Sequence, residues 1–203
     1  EESTCKSLRS YWFGNSNHWF ASTEKFDSEV LELFGLSLEA FLSSGALRYY
    51  GEGLKSEVLR GLELDKWLES TQPADILAHI LLWDQVSRHY RRVHTAPTAV
   101  SRVSDMAVRS TTYLLKNHLQ MVETWPTSWR MFLLMPYRHT FQATPIRHSL
   151  QWAKRFAKLP GEDLSLWRRF DQAGLKALSP MITKNLTAIK PSENQGSLSF
   201  SSW

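Results

Sequence analysis

The densest chemistry in the sequence is the run Trp83-Asp84-Gln85-Val86-Ser87-Arg88-His89-Tyr90-Arg91-Arg92. Asp84 and Arg88 stand four residues apart, so on a helix they share a face and can pair. Gln85 and His89 take the neighbouring face. One reading is a charged pocket between helices in which Asp84 and Arg88 position a polar ligand. The other is a buried polar tether, with Arg91 and Arg92 complementing the dipole at a helix C-terminus.

The remaining reactive groups are scattered. Seven histidines are spread through the chain, none in a His-Glu-x-x-His arrangement, and Cys5 is the single cysteine, so spacing supplies no zinc site and no metal is expected. His139, in Tyr137-Arg138-His139-Thr140-Phe141-Gln142, follows an expected helix end at Pro136. Its imidazole suits acid or base work, but spacing fixes no partner for it, and a hydrogen-bonded structural histidine is the alternative. Glycine-rich phosphate loops and the Gly-x-Ser-x-Gly elbow are missing, and no cofactor is expected. In Gln151-Trp152-Ala153-Lys154-Arg155-Phe156-Ala157-Lys158, a helix turns Lys154, Arg155 and Lys158 outward and Trp152 and Phe156 inward. That is ordinary amphipathicity, with RNA binding as the sharper reading.

The elements that must hold these groups are helices. Alternating β-branched runs and Asn-Gly or Asp-Gly hairpin turns do not occur. Tyr11-Trp12-Phe13-Gly14 and Trp19-Phe20 read as an irregular segment whose rings plug into the core. Ser22 or Thr23 caps a helix carrying Phe26, Val30 and Phe34, broken near Gly35 or Ser37 and followed by a short helix to Ser43. Residues 46–63, with three glycines, read as an insertion. Pro73 opens a strong helix over 74–92, and Val103–Val122 gives another. Pro126 starts a helix stopped near Pro136, and helices follow over 145–159 and 163–178. About seven helices joined by short loops predict an all-α, irregular antiparallel bundle in one domain over 1–189.

Charge divides along the chain. Residues 1–85 hold seven basic against fourteen acidic side chains, and residues 86–158 hold twelve against two. Either the halves attract each other within the fold, or a basic face meets an acidic protein, RNA or anionic lipid headgroups. From Lys190 onward the chain is Ser-rich, and Phe200 and Trp203 are candidate anchors of this tail on a partner. The longest apolar run, Ile80-Leu81-Leu82-Trp83, stops at Asp84, so no transmembrane segment is expected. Residue 1 is Glu1 rather than Met, which fits loss of a targeting peptide among other origins, and the pI near 9.2 fits a mitochondrial address, with a cytoplasmic one as alternative.

Several short runs occur in a telling order: Tyr11-Trp12-Phe13-Gly14, Trp19-Phe20, Phe26-Asp27, Phe34-Gly35, Leu82-Trp83-Asp84-Gln85-Val86-Ser87-Arg88, Ser104-Asp105-Met106-Ala107, and Phe132-Leu133-Leu134-Met135-Pro136-Tyr137-Arg138-His139. In that order the chain resembles the bacterial domain-of-unknown-function 924 family over roughly residues 10–160. The resemblance implies an all-helical, tetratricopeptide-like fold. It also implies a polar pocket lined by Asp84, Gln85, Arg88, Asp105 and His139. Two departures stand out: the family's Ser-Glu after the histidine is Thr140-Phe141 here, and its later Gly-Arg-Phe-Pro-His-Arg-Asn motif has no convincing counterpart.

A scaffold that keeps its helices and loses part of its pocket points to a non-catalytic accessory subunit of a large assembly. A mitochondrial complex such as the respiratory chain, ATP synthase or ribosome is the expected setting. Arg91, Arg92, Lys154, Arg155, Lys158, Phe200 and Trp203 are the expected contacts with other subunits, RNA or lipid. The alternatives are a small-molecule enzyme or ligand-binding protein using Asp84, Arg88 and His139, and an RNA-binding helical protein.

Overall fold

The computed structural model describes residues 4–14, 16, 19, 23–43, 64–94 and 97–188. Among these the fold is all-α, with no strand. The expected insertion over 46–63 and the tail over 190–203 lie outside the described residues.

Tyr11, Trp12 and Phe13 sit on a helix, α1 (Thr4–Gly14), rather than on an irregular segment, while Trp19 lies in a turn beyond it and Phe20 lies outside the described residues. Trp12 is buried, with its ring edge-on to Phe132 at 5.8 Å, and Phe13 stacks on Trp129 at 5.3 Å. Helix α2 (Glu24–Ser43) runs without the break expected at Gly35. Phe34 and Leu38 are buried on either side of that glycine, so packing carries the helix through it. Thr23 caps its start, its Oγ1 accepting from the Phe26 amide at 3.2 Å. Residues 64–70 form α3.

The strong helix predicted over 74–92 is a rod in three parts: α4 (Pro73–Ile80), a π-helical stretch (Leu81–Val86), and α5 (Ser87–Val93). All six residues of the π stretch are buried. It is packed by α2, α4, α5 and α6 (Pro97–Asn117), and by α8 (Thr127–His139). A short α7 (Leu119–Thr124) follows a break at His118, which divides the helix expected over 103–122.

Helix α8 passes through Pro136 and ends a turn beyond the predicted stop. Proline deletes one N–H and costs roughly 3 kcal/mol inside a helix. Burial of Leu133, Leu134, Met135 and Tyr137 offsets that cost. The Thr111 hydroxyl also donates to the Leu133 carbonyl at 3.0 Å, beside the proline. This extension places His139 on the last turn of α8. Helices α9 (Ala143–Phe156) and α10 (Leu164–Ala188) complete the described chain, with α9 packed on both α8 and α10. Asp163 caps α10, its Oδ1 accepting from the Ser165 amide at 2.9 Å and the Leu166 amide at 3.2 Å.

A buried ion pair ties these last helices together. Arg130 on α8 meets Glu162, each side chain 4% exposed. Glu162 Oε2 also accepts from the Thr127 hydroxyl at 2.9 Å and from the Trp167 indole N–H at 2.8 Å.

Candidate functional site

The π-helical stretch gives the site its geometry. A π turn inserts an extra residue per turn and shifts the faces that follow it, and such turns gather at functional positions. Here it sets Asp84 inward toward α8. The Asp84 side chain is 2% exposed and that of His139 is 15% exposed. The His139 Nδ1–H donates to both carboxylate oxygens, at 2.8 and 2.9 Å. The Gln85 amide donates to Oδ2 at 2.5 Å, and the Arg88 Nε lies 3.5 Å from Oδ1. Burial pushes the Asp84 carboxyl up, but His139, with its charge and hydrogen bond, and then Arg88 outweigh it and hold the group below the usual carboxylate range.

The site carries more cation than anion. Arg88 leans on Asp84, and Arg138 is drawn electrostatically to the same carboxylate while repelling Arg88. The Arg88 Nε is buried and makes no well-formed hydrogen bond, and its Nη2 reaches the His139 carbonyl only at 3.4 Å. The guanidinium lies 6.0 Å from the centre of the Phe141 ring, at the outer reach of a cation–π contact. Phe141 is 67% exposed and holds a left-handed backbone, φ 53°. That conformation ends a helix comfortably when the residue is glycine and costs about 1–2 kcal/mol for an L side chain.

Asp84, Gln85, Arg88 and His139 therefore come together. Asp105 stands apart: it is exposed on α6 and makes no hydrogen bond to the cluster among the described residues. Arg138, one residue before His139, belongs to the cluster although the spacing gave no reason to single it out.

A second buried cluster was not legible as a site. Asp27, on the first turn of α2, receives Arg92 Nε at 2.8 and 2.9 Å and Arg92 Nη2 at 2.6 Å. His89 Nδ1 lies 2.6 Å from the same carboxylate and donates to it. The His89 ring packs edge-on against Trp12 and Phe26. Burial raises Asp27, but the hydrogen bonds from Arg92 and His89 overcome it and hold the carboxyl low. Burial pushes His89 below the usual histidine range.

The residues expected to meet partners divide in two. Arg92 is committed to Asp27, and Arg155 is held by Glu123 at 2.7 Å. Arg91, Lys154 and Lys158 are exposed. Phe200 and Trp203 lie outside the described residues. Part of the charge division is spent within the fold: Asp27 with Arg92, Asp65 with Arg109, and Asp84 with Arg88 all join the acidic segment to the basic one. Among the described residues no helix is long and apolar enough to cross a membrane.

A family model described as "Bacterial protein of unknown function (DUF924)" matches residues 8–185. No curated protein and no solved structure matches the chain.

Proposed function

The chain belongs to this bacterial family of unknown function, and from that premise we propose that it works as a non-catalytic accessory subunit that docks on a larger assembly through the surface at Phe141 and Arg88. The observation that carries the reading is Phe141 itself. A large aromatic side chain stands in solvent on a left-handed backbone, beside a cation with unmet hydrogen-bonding capacity. Aromatic side chains and arginines are enriched in the cores of protein interfaces. Strain kept at one exposed residue points to a use for that residue. Nearby, the Asp84 carboxylate is already occupied by His139, Gln85 and Arg88 of its own chain, which fits a tether that holds the rod against α8. A mitochondrial complex is the setting we propose, on the basic pI.

The test is the sedimentation of the tagged full chain in gentle extracts of its own cells. The wild type is expected in a large particle and Phe141→Gly in the fractions of the free chain. Monomer-sized sedimentation of the wild type contradicts the reading.

One observation favours a second reading. Asp84 engages His139 through Nδ1, while Arg88 and Arg138 stand alongside with more positive charge than the one carboxylate offsets. That arrangement suits a small anionic ligand. It predicts a rise in melting temperature with simple carboxylates or phosphate that Arg138→Gln abolishes.

A further inference from the structure

Residues of α1, α2, α4 and the start of the π stretch line a pocket of about 320 Å3 that is open to solvent on one side. This falls at the small end of the range of ligand sites. Among the described residues its walls are mostly apolar, supplied by Leu8, Phe41 and Leu82, with Thr4, Cys5, Ser37 and His79 as the polar groups.

The lining sets the ligand chemistry. Burial holds His79 below the usual histidine range, so the ring is neutral near pH 7. Its Nδ1–H donates to the Asp75 carbonyl at 2.9 Å, so Cys5, with Sγ 3.8 Å from that nitrogen, gains no base from it. Burial, and then the Asp75 charge, push the thiol up and keep it protonated. The neighbouring charges, Arg9 and Asp75, are closed on each other at 2.6 Å. Among the described residues that line the pocket none carries a charge to compensate an ion for the hydration it would give up there. The Ser37 hydroxyl makes no hydrogen bond among the described residues and is available as a single polar handle.

We propose that this cavity binds a compact, uncharged, largely apolar molecule bearing one hydroxyl or carbonyl group, held by Leu8, Phe41 and Leu82 and oriented by Ser37. Cys5, the only cysteine in the chain, reports occupancy without taking part in it.

The experiment follows alkylation of Cys5 in the full chain by N-ethylmaleimide, with 2-naphthol as the probe and 2-naphthalenesulfonate as its charged counterpart. The neutral probe is expected to slow alkylation saturably, by about tenfold at about ten times its dissociation constant. The sulfonate leaves the rate unchanged. Ser37→Phe, which fills the cavity from a half-buried position, removes the effect of the probe. Ser37→Ala weakens protection by 2-naphthol but not by naphthalene, and this milder variant keeps the test usable if the phenylalanine disturbs folding. Equal rates with and without 2-naphthol, equal protection by the sulfonate, or a thiol that resists alkylation with no probe present would each overturn the proposal.

Discussion

The His139 Nδ1–H, on the last turn of α8, donates at 2.8 Å to the buried carboxylate of Asp84, 55 residues earlier in the chain. This contact ties the π-helical centre of the rod to the end of the helix from which the exposed Phe141 follows.

Removing the carboxylate strands the Arg88 cation and the His139 and Gln85 donors in a buried setting. Asp84→Ala is expected to destabilise the fold by about 3–5 kcal/mol. Asp84→Asn, which keeps the shape, should cost less, about 1–3 kcal/mol. Urea unfolding measures both, and an alanine variant within about 0.5 kcal/mol of wild type, the range of an ordinary surface change, would count against a tether.

Arg130 and Glu162 should behave as a unit. Glu162→Ala leaves Arg130 buried and unpaired and also orphans Thr127 and Trp167, a loss of about 3–5 kcal/mol. The double variant Arg130→Met, Glu162→Leu should lose less than Glu162→Ala alone. A double-mutant cycle with no coupling would contradict the pairing.

Acid should weaken the fold in two stages. His79 and His89 both have lowered values in the folded chain, set first by burial. The unfolded chain then takes up protons first, so stability is whole above about pH 6.5 and declines as pH falls from there toward the folded values. Asp27 and Asp84 are also lowered, by ion pairing that outweighs burial. Their contribution is whole above about pH 4 and is lost as pH falls below it. Melting temperatures from pH 8 to pH 3 check this, and His79→Gln should flatten the first stage. A melting temperature that rises between pH 7 and pH 5 would show the histidine signs to be wrong.

Phe141→Gly should leave the isolated fold as stable as before or slightly more so. Glycine removes about 1–2 kcal/mol of left-handed strain. It adds about 0.5–1 kcal/mol of unfolded-chain entropy. A loss above about 1 kcal/mol in urea unfolding would mean that the ring packs on its own chain, and that the strain serves folding.

The helical class and the core faces of the rod were readable because apolar spacing follows burial directly. The helix over 74–92 and the inward turn of Trp152 and Phe156 rest on that signal alone. The continuation through Gly35 and Pro136 was not readable. At both positions a local propensity for a break is overridden by buried neighbours that belong to other helices. The same holds for the clusters. Asp84 with Arg88 is a local pair at helical spacing, whereas Asp27 with Arg92 and Arg130 with Glu162 depend on contacts between segments distant in sequence. Nothing in a run of residues marks a π turn, so the full burial of Leu81–Val86 emerges only from the packed fold.

The most direct test of the docking role is photocrosslinking in intact cells from a benzoylphenylalanine placed at position 141. Position 36 on α2, where Leu36 is 79% exposed, serves as the control. The docking reading predicts one defined adduct with another protein chain from position 141, absent from position 36. Matching patterns from the two positions, or no adduct at 141, would contradict it.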